Sequence, residues 1–101
     1  MAYGFLIHGD EDHVGVAVRD LAAGETVTGV TQKSRREVTV TVRQAIPLGH
    51  KVALAARAPG DPVLKYNEVI GVATAPIQVG DHVHVHNLAS RRWGRKEQQA
   101  L

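Results

Sequence analysis

Alternation with a period of two runs through this sequence and predicts strands along most of it. Its clearest case is Glu37-Val38-Thr39-Val40-Thr41-Val42-Arg43, where polar and apolar positions alternate without interruption. Successive strand side chains point to opposite faces, so the valines are expected inward and the threonines outward. Shorter apolar runs predict further strands over residues 3–8, 14–18, 26–30 and 52–54. Polar stretches separate them, among them Gly9-Asp10-Glu11-Asp12 and the charged loop 32–36.

A short motif recurs between these runs. Leu21-Ala22-Ala23-Gly24-Glu25-Thr26-Val27, Ile46-Pro47-Leu48-Gly49-His50-Lys51-Val52 and Ile77-Gln78-Val79-Gly80-Asp81-His82-Val83 share an aliphatic, two residues, Gly, two residues and Val. Ala58-Pro59-Gly60-Asp61-Pro62-Val63 repeats the second half. Each copy reads as a turn that feeds a strand, because Gly enters positive φ at no steric cost. With Pro47, Pro59, Pro62 and Pro76 close by, room remains for at most one short helix, around 43–45 or 14–20. The repeat is too irregular for a solenoid, and the pattern predicts one compact all-β domain.

The last alternating run is Asp81-His82-Val83-His84-Val85-His86-Asn87. As a strand it would put His82, His84 and His86 on one face and Val83 and Val85 on the other. Imidazoles spaced two apart on a strand can share one metal ion, and the alternative is a solvated polar face. Beyond Asn87 the alternation stops, so residues 88–101 are expected to form no strand. From Arg95 onward the chain is expected to fray unless a partner holds it.

Composition and charge then remove whole classes of function. The chain has 101 residues, 44% hydrophobic, with no Cys, so disulfides and thiolate–metal sites are excluded. No apolar run approaches the roughly 20 residues of a membrane span, and the first residues lack the pattern of a signal peptide. A cytoplasmic protein is expected. The formal charge of +2 is uneven: residues 91–101 hold four basic residues against one acidic, leaving the body slightly acidic. No basic stripe marks a nucleic-acid surface on the body.

Three further stretches carry candidate chemistry. His50-Lys51, following Gly49, joins a group that titrates near neutral pH to a cation suited to a carboxylate. Lys65-Tyr66-Asn67 places a Lys and a Tyr beside a tight turn. Arg91-Arg92-Trp93-Gly94-Arg95-Lys96 sets the sole Trp among basic residues, as a docking anchor or a solubilising tail. Ordinary turns explain the first two equally well. Phosphate-binding Gly loops, nucleophile motifs and paired carboxylates are missing, so these residues amount to half of a site.

Ala45-Ile46-Pro47-Leu48-Gly49-His50-Lys51-Val52-Ala53-Leu54, Val63-Leu64-Lys65-Tyr66-Asn67-Glu68-Val69-Ile70-Gly71-Val72-Ala73 and His82-Val83-His84-Val85-His86-Asn87 together resemble the SAF domain of the altronate/galactarate dehydratase family. The resemblance covers residues 3–93 and leaves 94–101 as a basic tail. One departure is Asn67, where the family has Gly. The resemblance implies a β-clip fold, a stand-alone small subunit and a separate large catalytic subunit. It implies β-elimination of water or sulfite from a small anionic hydroxy acid, with a divalent metal, iron above all, held mostly by the large subunit. It further implies roles: Lys51 and Lys65 bind anionic groups, and Tyr66 and Asn87 orient substrate. His50 and His86 transfer protons, and His84 and His86 are metal ligands shared with the partner. His82 is the weakest of the three strand histidines. SAF domains also serve as non-catalytic modules that bind an anion or a protein, and self-association is a further expectation to test.

Overall fold

The computed structural model describes residues 3–90, and among them nine strands form and no helix. The strands are β1 (Phe5–Ile7), β2 (Val14–Ala17), β3 (Thr26–Thr31), β4 (Glu37–Thr41), β5 (Lys51–Ala53), β6 (Pro62–Lys65), β7 (Glu68–Ala73), β8 (His82–Val83) and β9 (Leu88–Ser90). Six form one sheet in the order β4-β3-β1-β2-β5-β8, and the order β6-β7-β9 makes the second. All neighbours run antiparallel except β1 and β3. This is the all-β architecture of a small β-clip domain. No helix among the described residues is long and apolar enough to cross a membrane.

The repeated motif forms turns as expected. Gly24, Gly49, Gly60 and Gly80 all take φ between +86° and +92°. The aliphatic residues that open the three full copies, Leu21, Ile46 and Ile77, are buried. Each contributes about 1.5–3 kcal/mol by leaving water, so the motif joins a turn to a core anchor. Leu21 and Ile46 also bridge each other, which ties two of the turns together.

β5 divides the core in two. Val52 packs in one cluster with Phe5, Leu21, Val40 and Ile46, while Ala53 packs in the other with Val14, Val63, Ile77 and Val83. Neighbouring residues on a strand face opposite ways, so one short strand serves both clusters. At the far edge, β4 keeps its predicted alternation. Val40 and Val42 are buried, and Thr26–Thr41 and Thr28–Thr39 meet hydroxyl to hydroxyl at 3.3 and 2.8 Å.

Three expectations are corrected. Residues 14–17 form strand β2 and 43–45 lie outside regular structure, so neither place holds a helix. Residues 88–90 form β9, paired to β7 through Gly71↔Ser90, Val72↔Ala89 and Ala73↔Leu88. The histidine run is a strand only at His82-Val83, and residues 84–87 are a turn. Asn87 causes that turn: its Oδ1 accepts the His84 N–H and its Nδ2 donates to the His82 carbonyl. A short side chain that bonds the nearby backbone competes directly with a ladder.

Candidate active site on the β5–β8 edge

Strand register builds the centre of the site. β5 and β8 pair with Lys51 opposite Val83 and Val52 opposite His82. One step further along this register, His50 stands opposite His84, with His82 on the diagonal. Opposite and diagonal neighbours on one face are the pairs whose side chains meet. The His50 Nδ1 lies 2.9 Å from His82 Nε2, and the His50 ring stacks on His84 with centroids 4.2 Å apart. One nitrogen from each of His50, His82 and His84 falls within 4.8 Å of the others. Burial, and then the neighbouring His50 charge, hold His82 and His84 below the ordinary histidine value. Both are therefore neutral at pH 7, with lone pairs available. Three imidazoles without a carboxylate fit zinc, iron(II), cobalt or nickel far better than magnesium or calcium.

The repeated turns explain why position 50 is free for this chemistry. In three of them the residue after Gly is acidic: Glu25, Asp61 and Asp81. Each carboxylate accepts the N–H three residues back, from Ala22, Ala58 and Gln78 respectively. In the fourth turn the equivalent position is Pro47, which has no N–H to satisfy. Residue 50 needs no carboxylate there, and a histidine occupies it instead.

On the other face of β5, Lys51 lines a cleft of about 400 Å³ with Lys65, Ile70, His84, Val85, Leu88 and Ser90. Among the described residues no acidic one lines it. Burial, and then the Lys65 charge, pull the Lys51 ammonium below the ordinary lysine value. An anion placed between the two lysines relieves both effects. His84 borders this cleft as well as the histidine cluster, so the two features are continuous.

Lys65 owes its position to an anchor that the sequence pattern did not reveal. β6 and β7 are joined by Tyr66-Asn67, both with positive φ (57° and 58°), the geometry of a two-residue hairpin turn. Positive φ is uncommon for Tyr. The buried Asp12 carboxylate holds the turn by accepting the N–H groups of Tyr66 (2.9 Å), Asn67 (2.7 Å) and Gly9 (2.9 Å). Asn67 adds a bond of its own, its Oδ1 accepting the Glu11 N–H at 3.0 Å. Its amide also fills the space where a side chain on Gly9 would sit. The departure from Gly at position 67 thus keeps the turn and adds a clasp. Tyr66 is exposed and stacks on His8 with centroids 4.0 Å apart and planes 2° from parallel, while Lys65 Nζ stands 5.1 Å from the Tyr66 ring.

The structure therefore sorts the residues singled out in the sequence. It brings together His50, His82, His84, Lys51 and Lys65. Tyr66 sits beside Lys65 but does not line the cleft. His86 is exposed on the far side of His82, their ring centroids 5.2 Å apart, and lines a separate hollow with Gln44 and Pro76. Asn87 borders the same hollow but is largely buried, and its amide is committed to the backbone of His82 and His84, so it positions the histidines. His82, the least regarded histidine in the run, belongs to the cluster through its contact with His50. The signals that identify these roles were weak: one Asp among three acids in a turn, and one Pro where its sister turns have an N–H. The stretch Arg91–Lys96 and the tail lie outside the described residues.

Known proteins give the same picture at the level of kinship. Residues 3–91 match the model for the altronate/galactarate dehydratase SAF domain. The (2R)-sulfolactate sulfo-lyase subunit alpha of Chromohalobacter salexigens is 39% identical over 94 residues, 92% of this chain and 100% of its own length. The subunit of the same name from Paracoccus pantotrophus is 44% identical over 64 residues, 63% of this chain and 96% of its own. Altronate dehydratase of Escherichia coli is 47% identical over 76 residues, 75% of this chain but 14% of that enzyme. A family match over all of the described residues, and lyase subunits that this chain spans over 96–100% of their own length, leave one conclusion: the chain belongs to the altronate/galactarate dehydratase SAF-domain family.

Proposed function

We propose that this chain is the small subunit of a lyase that removes a group β to the carboxylate of a small hydroxy acid, in an active site completed by a separate large subunit. The observation that carries the reading is the cleft where Lys51, Lys65 and His84 converge, with no acid among the described residues that line it. Two ammonium groups suit a substrate with two anionic ends, such as a carboxylate with a sulfonate or a second carboxylate. Kinship with two sulfo-lyase alpha subunits, each matched over nearly its whole length, favours sulfite as the leaving group. Water is the competing choice, from the altronate dehydratase match.

Elimination needs a base for the proton α to the carboxylate. The electron pair of that C–H bond becomes the new double bond as the β-substituent departs with its own pair. In this reading His84, which lines the cleft, or His50, stacked on it, takes or returns the proton, while Lys51 and Lys65 hold the anionic ends and offset the charge that builds on the carboxylate. A divalent metal, iron by family resemblance, would add positive charge at the enolate-like oxygens. Tyr66, exposed beside Lys65, contributes a hydroxyl at the rim, where the large subunit closes over it. His86 stands outside the cleft, so its proposed role in proton transfer or metal binding passes to His50 and His84.

Co-expression with a large subunit of the same family, followed by assays on sulfolactate, altronate and galactarate, tests this reading. Turnover of one of these acids by the pair, none by the isolated chain, and loss with Lys65→Ala are the expected results. Turnover by the isolated chain would sink the shared-site idea. A pair that turns over none of them, with anion binding retained by this chain, would make it a binding module instead.

A further inference from the structure

We propose that His50, His82 and His84 form a three-nitrogen site for a divalent transition-metal ion, carried by this chain itself rather than by its partner. The site rests on the lyase reading only for its use in catalysis, since the ion can bind whatever the complex does.

The geometry is that of a facial triad slightly opened. Nitrogens bound about 2.0–2.1 Å from one ion stand roughly 3.0–3.4 Å apart. The His50 Nδ1 and His82 Nε2 are already 2.9 Å apart, and the His84 nitrogen lies within 4.8 Å of both. Modest ring rotations close the set, because His50 and His84 already stand opposite each other across the strand pair. An ion would displace the single proton that His50 and His82 now share, and that proton would move to the other nitrogen of the same ring, so each ligand stays a neutral imidazole.

The backbone under the ligands is held from several sides. Asn87 grips the His84 N–H and the His82 carbonyl, and Gln44 Oε1 accepts the His82 N–H at 2.8 Å. His50 closes its own turn through the Pro47 carbonyl at 3.0 Å, and its carbonyl accepts the Ala17 N–H at 2.9 Å. Such support fixes where the rings start and limits the cost of ordering them.

The surroundings choose the class of ion. The nearest acid in the chain, Asp81, is fully engaged: Oδ2 accepts the Gln78 N–H, and Oδ1 accepts Arg43 Nε and Gln44 Nε2. Among the described residues no carboxylate joins the three imidazoles, so the set selects borderline ions over magnesium and calcium. Three protein ligands also leave open positions. His84 turns these toward the Lys51–Lys65 cleft, where an anionic substrate or a ligand from the large subunit can complete the shell.

The test uses the full chain, free of affinity tags and stripped of metal, titrated with cobalt(II) at pH 7.5. Visible ligand-field bands and calorimetry are the readouts. One equivalent is expected to bind, with magnesium unable to compete. His50→Ala, His82→Ala and His84→Ala should each weaken binding by about 100-fold or more, while His86→Ala stays within about twofold of the original chain. Circular dichroism of each variant separates lost ligands from lost fold, and His50→Gln supplies a second variant of similar size. No saturable binding, or binding that depends on His86 and survives His50→Gln, would overturn the proposal. Binding in a chain whose complex turns over no hydroxy acid would keep the site and remove the lyase reading. A working lyase whose small subunit binds no cobalt would do the reverse.

Discussion

The six-stranded sheet ends in two very different edges. At one, β3 and β4 pair over five rungs, from Thr26↔Thr41 to Val30↔Glu37, and threonine hydroxyls face each other across it. At the other, β5 and β8 pair over two rungs, and the ladder is continued by imidazoles. Each threonine pair satisfies itself, since a hydroxyl both donates and accepts. An imidazole has two ring nitrogens, so the one hydrogen bond between His50 and His82 still leaves a second nitrogen on each ring. The long edge is therefore closed chemically, and the short one is open to a ligand. The same strand period produces both, so what differs is which atoms are left over after pairing.

The contrast is broken most strongly by giving the open edge the chemistry of the closed one. In the assembled enzyme, His50→Thr should cost about 10²–10⁴ in kcat, the range for a lost acid–base group, with the melting temperature within about 4 °C of the original. A large loss of stability with activity retained would contradict the division between the edges. Lys65→Ala should lower kcat/KM about 100-fold, or ~2.7 kcal/mol, with Lys65→Arg recovering part of it. Equal kinetics for Lys65→Ala and the original chain would remove the cleft from catalysis.

Acid should distinguish the edges as well. His82 and His84 are held below the ordinary histidine value of 6.5, chiefly by burial and then by the His50 charge. As pH falls through 6.5, the unfolded chain takes up protons that the folded chain refuses, so stability drops toward pH 5 and is unaffected above about 7.5. His8 and His13 shift the same way, again chiefly through burial, so the comparison to make is with His82→Gln. Urea unfolding of that variant should show a shallower fall between pH 7 and 5 than the original chain. The smallest effect belongs to the closed edge: Thr28→Val should cost about 1 kcal/mol in urea unfolding, and Thr28→Val with Thr39→Val less than the sum of the two singles. Neither change should alter turnover.

Much of this was legible in the sequence because it rests on local rules. The alternation of residues 37–43 placed Val40 and Val42 inside and Thr39 and Thr41 outside, and the recurring Gly marked four turns with positive φ. The convergence of Lys51, Lys65 and His84 was also anticipated, through family motifs rather than period. Where reading failed, a side chain had displaced a backbone partner. Asn87 bends the histidine run out of the ladder after Val83, which alternation alone cannot reveal, and the returning chain then pairs as β9. Asp12 reaches across more than fifty positions to Tyr66 and Asn67, a contact that no window of sequence contains. The place of His82 in the cluster depended on the register of β5 against β8, which pairing sets and spacing does not.

The sheet order also decides when the site can exist during folding. β5 is made early, but its outer neighbour β8 follows only after the β6–β7 hairpin. Until then the edge of β5 that carries His50 and Lys51 is unpaired. Domains dominated by such distant pairings fold in roughly milliseconds to seconds. The histidine cluster therefore forms in one of the last steps, when the turn at Asn87 closes. A ribosome-bound chain that stops short of residue 82 would have the lysines and the first imidazole but no cluster, so the cluster reports that β8 has docked on β5.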